Sequence, residues 1–229
     1  MEAIILAAGR GTRLLPLTQT TPKPLVLVCG KPLLEHVIDA LPKSVTAMHI
    51  VVGHLGEQIR MRYGPVINGR KITYIEQGNL NGTGGALMLA RDVLKEPTLV
   101  VNADDLYAAD DLRRLSNFPL AILAKRTTEP VAFPLKVGFF NRWKGFAPAS
   151  KGGKEVWQNC GAYMLDARYF LHPAASIPVR GGEELSLPHA FAQLAKQENI
   201  KIVPATKWLP VGTHQELARA NSECSPRLA

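Results

Sequence analysis

Residues 3–8 (AIILAA) form a continuous apolar run that stops at Gly9-Arg10-Gly11. A run without polar alternation reads as a strand covered on both faces, and such strands belong to sheets flanked by helices. The same signal returns at residues 49–53, 72–75 and 98–101. Between these runs, residues 33–41, 57–63 and 84–94 carry apolar side chains at helical spacing. Strands alternating with helices imply parallel pairing with right-handed crossovers. The fold class expected is α/β: a three-layer α/β/α sandwich with a Rossmann-like, mostly parallel sheet. Residues 120–123 continue it, after which residues 131–157 lose all helical period and predict hairpins or long loops. Residues 159–165 then read as a strand, 183–197 as a helix and 200–204 as a strand. Thr213 is a good N-cap for a last helix, and residues 225–229 are expected to fray. At 229 residues the chain suits one domain, 1–229, with a change of character near residue 125.

Charge narrows the function. Lys and Arg number 27 against 19 acids, a net +8, which favours a polyanionic partner: nucleic acid, an anionic surface or a phosphate-rich small molecule. The basic residues are clustered. Arg10, Arg13, Lys23 and Lys31 lie between Gly9 and Lys31 without an acid. Residues 125–157 add Lys125, Arg126, Lys136, Arg142, Lys144, Lys151 and Lys154 against Glu129 and Glu155. No basic stripe interleaved with aromatics occurs, so no nucleic-acid partner is expected. The first apolar run is too short to span a bilayer and has no signal-peptide flanks, so no membrane partner and a cytoplasmic location are expected. Cys29, Cys160 and Cys224 are an odd, widely spaced set without CxxC. They suggest neither zinc nor a disulfide framework and read as reduced, buried thiols.

Glycines directly after a first buried strand suit a loop that brings backbone N–H groups to phosphate oxygens. The dinucleotide fingerprint fails because Leu14 stands where a third glycine is needed, and Gly-Lys-Ser/Thr of the Walker loop is absent. A turn with a solvated basic face is the plainer reading of a bare GxG. The full string is more specific: Leu6-Ala7-Ala8-Gly9-Arg10-Gly11-Thr12-Arg13-Leu14-Leu15-Pro16-Leu17-Thr18, then Pro22-Lys23-Pro24-Leu25, then Gly30-Lys31-Pro32-Leu33. It resembles the signature of the sugar-phosphate nucleotidyltransferases.

That resemblance implies the fold of the nucleotide-diphospho-sugar transferases, with residues 1–125 as nucleotide-binding half and 126–224 as sugar-phosphate-binding half. It implies nucleotidyl transfer from a nucleoside triphosphate to a sugar 1-phosphate, with Mg²⁺ as cofactor. Arg13 and Lys23 match the catalytic cations, Arg13 at the pyrophosphate and Lys23 at the transferred phosphoryl group. Leu6, Ala8, Gly9, Gly11 and Thr12 match the triphosphate loop; Gln77, Gly82 and Thr83 match the base-reading turn. Thr83 also reads as the N-cap of the following helix. Asn102-Ala103-Asp104-Asp105 resembles the family's metal motif, Asp104 matching its aspartate, and a strand's carboxyl end is where open α/β sheets place ligands. The plainer reading is that these acids cap a helix starting near Asp110. Asn159 matches a sugar contact, and Glu183 or Glu184 faces the sugar hydroxyls.

Two departures stand out. Trp208-Leu209-Pro210-Val211-Gly212-Thr213 carries proline where the family has a second metal-ligating aspartate. Either Asp105 or a substrate phosphate completes the coordination, or catalysis is weak or absent. The sugar-phosphate lysine keeps neither neighbour of its motif, leaving Lys151 or, in a competing alignment, Lys154. Another phosphorylated acceptor such as phosphocholine, and a nucleotide-binding regulatory module without catalysis, remain as alternatives. No hexapeptide repeat is present, so no acetyltransferase activity is expected. Base, sugar and homo-oligomeric state are open.

Overall fold

The computed structural model describes residues 1–179 and 182–223; the expected frayed tail, 225–229, lies outside them. Six helices are described: α1 (Leu33–Ala40), α2 (Gly56–Tyr63), α3 (Thr83–Leu89), α4 (Ala109–Leu115), α5 (Leu187–Leu194) and α6 (His214–Ser222). They accompany a ten-stranded sheet. From one edge the order is Leu135–Gly138, Arg142–Phe146, Lys201–Pro204, Ala121–Thr127, Val156–Leu165, Thr98–Asn102, Glu2–Ala7, Ala47–Val52, Arg70–Glu76 and Val66–Ile67.

The first strand is central, as its composition demands. Ile4, Leu6 and Ala8 enter one apolar cluster, with residues of α3 and α5. Ala3, Ile5 and Ala7 enter another, with residues of α1, α2 and α4. Both faces of the strand are thus covered, which is why it carries no polar alternation.

The sheet is mixed, correcting the expectation of a mostly parallel one. Glu2–Ala7 pairs in parallel with Ala47–Val52 and Thr98–Asn102, as do Ala47–Val52 with Arg70–Glu76 and Lys201–Pro204 with Ala121–Thr127. Val156–Leu165, however, enters antiparallel between Thr98–Asn102 and Ala121–Thr127. The cause lies in the connection. Residues 128–155 contain a β-excursion rather than a crossover helix, and without a crossover the returning strand runs antiparallel. This insertion sets Ala162 opposite Val101, so Asn159 to Gly161 arrive beside the carboxyl end of Thr98–Asn102.

The expected helix over 183–197 is shortened to α5, Leu187–Leu194, and its first residues instead form a hairpin strand, Gly182–Leu185 against Ser176–Val179. Pro188 sits in the first turn of α5, where its missing N–H costs nothing and its fixed φ favours a helix start. The expected helix over 84–94 ends as α3 at Leu89. Thr83 does not cap it: the N-cap is Gly82, and the Thr83 hydroxyl accepts from the Leu187 backbone N–H at 3.2 Å. Thr213 does cap α6, accepting from the Glu216 N–H.

Cys160 is a buried free thiol, but Cys29 is exposed and disulfide-bonded, against the expectation of reduced, buried cysteines; Cys224 lies outside the described residues. Cys29 occupies the left-handed turn between Leu27–Val28 and Lys31–Pro32, and its N–H donates to Asn221 Oδ1 of α6 at 2.9 Å. Folding brings the two ends of the chain together there, which sequence spacing does not show. Among the described residues no helix is long and apolar enough to cross a membrane.

Candidate active site

Gly11 starts the site. Its φ of +65° is left-handed, and a Cβ there would lie 2.9 Å from Thr18 Cγ2 and 3.1 Å from Lys23 Cβ. Only glycine suits both conditions. Its carbonyl accepts from the Thr18 hydroxyl at 2.8 Å, folding the loop back so that the turn Lys23–Leu25 lies against it. Lys23 is thereby buried, 7% exposed, and its Nζ donates to Asp104 Oδ2 at 2.5 Å. Arg13 stays exposed, its guanidinium against Gly212 and near the Glu216 carboxylate.

Asp104 and Asp105 close the strand Thr98–Asn102. Asp105 is buried and accepts from Asn102 Nδ2 at 3.3 Å and from the Tyr107 hydroxyl at 3.2 Å. Burial foremost, then the neighbouring Asp104, push the Asp105 carboxyl well above the usual carboxylate range, opposed by Asn102 and Lys23. Burial, then Asp105, likewise raise Tyr107, so its phenol keeps the proton it donates. Neither acid caps α4, whose N-cap is Ala108 without a side-chain bond. The capping reading is therefore excluded.

These carboxylates are a fitting donor set for Mg²⁺, which takes one or two carboxylates and completes its shell with water and substrate phosphates. No group of three or more His, Cys, Asp or Glu is arranged for a metal among the described residues. Pro210 supplies no ligand; its backbone pairs with Asp105.

A cavity of about 190 Å³ opens above these groups, lined by Leu6, Ala8, Gly9, Lys23, Gln77, Gly82, Thr83 and Asp104 among others. Gln77 is buried and donates to Asn81 Oδ1 and the Gly82 carbonyl. Gly82 has φ +93°, and a Cβ on it would lie 2.5 Å from the Leu185 carbonyl oxygen. Arg13, Asp104, Asp105 and Asn159 line an adjoining cavity of about 310 Å³. Asn159 Oδ1 accepts from the Gly161 N–H, and its Nδ2 donates to the Tyr163 hydroxyl.

The fold thus gathers residues from five distant stretches of sequence. Gly11 and Thr12 shape the loop without lining either cavity. Lys151 and Lys154 are exposed and line neither of them. Glu183 is exposed, its carboxylate accepting from the Ser176 hydroxyl, while Glu184 lines the first cavity. The hairpin decides this, since adjacent strand residues face opposite ways. Sequence reasoning did not find Asn102 and Tyr107 as partners of Asp105; their signal was only proximity to the acid pair.

A loop after the first strand, an ammonium bound to one of two adjacent carboxylates, and a cavity at the strands' carboxyl ends place this chain among α/β proteins whose ligand cleft lies at the carboxyl ends of the strands. Comparison with known proteins narrows the class. Residues 2–125 match the Nucleotidyl transferase family. The bifunctional protein GlmU of Methanocaldococcus jannaschii is 33% identical over 224 residues, 96% of this chain and 53% of that protein. The 2-aminoethylphosphonate cytidylyltransferase of Lancefieldella rimae is 41% identical over 114 residues, 48% of this chain and 45% of that protein. The chain spans about half the length of that GlmU protein, and the match to the cytidylyltransferase covers about half of each chain. A putative glucose-1-phosphate thymidylyltransferase from Bacillus anthracis shares the fold, with TM-score 0.84 at 24% identity over 100% of this chain and 97% of that one. The chain belongs to the sugar-phosphate nucleotidyltransferase family.

Proposed function

We propose that the chain transfers a nucleotidyl group from a nucleoside triphosphate to a sugar 1-phosphate, giving a nucleoside-diphosphate sugar and pyrophosphate. The observation that carries this reading is the Lys23–Asp104 contact. It ties the glycine loop to the acid pair at the floor of one cavity and sets a cation where a phosphoryl group would pass.

An anionic acceptor oxygen attacks the α-phosphorus in line with departing pyrophosphate. Such a nucleophile needs no general base, so the chain's task is positioning and charge neutralisation. Lys23 faces the α-phosphate, Arg13 receives charge developing on the leaving group, and the Gly9–Gly11 backbone seats the triphosphate. Gln77 and Gly82 border the base, and Asn159 and Glu184 border the acceptor. Mg²⁺ held by Asp104 and Asp105 would neutralise phosphate charge. The reading has residues 1–125 bind nucleotide and 126–224 bind acceptor, in the cytoplasm and without nucleic acid or membrane. The likeness to a 2-aminoethylphosphonate cytidylyltransferase favours, as second reading, a phosphorus-bearing acceptor other than a sugar. Pro210 favours, as third, a nucleotide-binding module with impaired catalysis.

Pyrophosphate release across a panel of triphosphates, sugar 1-phosphates, phosphocholine and 2-aminoethylphosphonate, with Mg²⁺ present, separates these. Release dependent on a sugar 1-phosphate is expected. Release only with the other acceptors supports the second reading, and nucleotide binding without release supports the third.

A further inference from the structure

The cavity beside Asp105 continues under the strand Trp208–Pro210. Gln158, Trp208, Pro210 and Glu216 line both it and a larger cavity of about 510 Å³, walled by Ala121–Thr127 and α6. Lys125 projects there from the strand, directly opposite Gln158 in register. Its Nζ donates to the Trp208 carbonyl at 3.4 Å, and among the described residues it has no carboxylate within ion-pair distance. Its neighbours differ. Arg126 is held by Glu155 at 2.8 Å, and the Glu216 carboxylate accepts from the Gly212 N–H and the Thr213 hydroxyl. Glu129 and Arg219 complete the ionic lining, on the wall and on α6.

An ammonium has three donors, and one long bond to a neutral carbonyl leaves two for a ligand. Lys125 is half-buried, where charge is less screened than on an open surface. Pro210, lining both cavities, brings no carboxylate to oppose it. Arg13 lines the Asp104 end of the joined cavities and this ammonium the other.

We propose that Lys125 is the central cation of a phosphoryl-binding subsite continuous with the Asp104–Asp105 site. Its ligand is a phosphoryl anion, either pyrophosphate leaving the reaction or the phosphate of the acceptor. Its role in turnover rests on the nucleotidyl-transfer reading; its binding of the anion does not.

Titration calorimetry with inorganic pyrophosphate, on the full chain without nucleotide, tests the binding. Lys125→Met should weaken affinity about tenfold to a hundredfold, the worth of a charge-assisted contact, with thermal unfolding unchanged. Lys125→Arg should keep most of it. Kinetics then distinguish the source: a raised KM for pyrophosphate in the reverse direction assigns the leaving group, and a raised KM for acceptor assigns the incoming phosphate. Wild-type pyrophosphate affinity in Lys125→Met, or no pyrophosphate binding by the unaltered chain, overturns the subsite. Lys125-dependent binding without turnover on any acceptor would leave the subsite standing and overturn the proposed reaction.

Discussion

At residue scale the chemistry turns on three side chains competing for charge. Asp104 and Asp105 are adjacent, and adjacent carboxylates resist ionising together. Lys23 offsets that repulsion at Asp104, while Asp105, buried with Asn102 and Tyr107 as hydrogen-bond donors, remains shifted upward. On the proposed reading, a divalent cation beside Asp105 would favour its charged form. Lys23→Ala should lower turnover by about 10²–10³, the usual effect of losing one preorganised electrostatic contact. The fold should survive, because Asp104 is partly solvated, with its side chain 36% exposed. Circular dichroism and pyrophosphate release on the same sample check both halves, and near-normal turnover would remove Lys23 from the mechanism. Lys23 was singled out in the sequence only through the likeness of Pro22-Lys23-Pro24-Leu25 to the family signature; its contact with Asp104, 81 residues away, is set by tertiary structure. The exposure of Lys151 was not legible, since loop shape across 131–157 depends on tertiary pairing that local residue pattern does not specify.

At the scale of elements, the site depends on how the Trp208–Pro210 strand is held. Asp111 on α4 is fully buried and accepts from the Thr206 N–H, the Thr206 hydroxyl, the Lys207 N–H and Arg114 Nη2. It fixes the chain just before Trp208, which pairs with Tyr107 while Pro210 pairs with Asp105. Asp111→Ala leaves two backbone donors unpaired, each worth about 1–3 kcal/mol. A loss of about 3 kcal/mol in urea unfolding is expected, with weaker nucleotide binding as that strand shifts; a loss below about 1 kcal/mol would show that the strand is held otherwise. A second element senses pH. His189, in the first turn of α5, packs against Phe133 and Phe146 with ring centroids 4.7 Å away in each case. Burial lowers its imidazole below the ordinary value of 6.5. A base depressed on folding contributes stability fully above that ordinary value and loses it as pH falls through the lower folded-state value. The unfolding midpoint should therefore drop on acidification below about pH 6.5, and His189→Gln should flatten that limb. The principal strands and helices up to residue 127 were legible because each is an unbroken local pattern, whereas the short strands Leu27–Val28, Lys31–Pro32, Val66–Ile67 and Asp105–Tyr107 were not. Nor was the strand Gly182–Leu185: Glu183, Glu184 and Leu185 are good helix formers on their own, and pairing with Ser176–Val179 and the helix start at Pro188 decide against a longer helix.

Across the whole molecule, the +8 charge acquires a location. Of the eleven cations in the two acid-poor stretches, Lys23, Lys31 and Arg126 are paired with Asp104, Asp39 and Glu155. Arg10, Arg13, Lys125, Lys136, Arg142, Lys144, Lys151 and Lys154 have no carboxylate within ion-pair distance among the described residues. The inserted strand Val156–Leu165 helps to bring Arg13 and Lys125 to adjoining cavities, although more than a hundred residues separate them in the sequence. Composition predicted a polyanionic partner, and of the unpaired cations Arg13 and Lys125 line the site cavities, whereas Lys151 and Lys154 do not. A field focused on a cleft raises the local concentration of an anionic ligand and its association rate. Raising ionic strength from about 0.01 M to about 0.1 M shortens the screening length from about 30 Å to about 10 Å. With Mg²⁺ held saturating, kcat/KM for the triphosphate should fall over that range while kcat changes little. Arg10→Gln, at the open end of the loop, should reduce the steepness of the fall without altering kcat. A salt-independent kcat/KM would mean that the cations act only at contact distance, and that the excess charge does not gather the substrate.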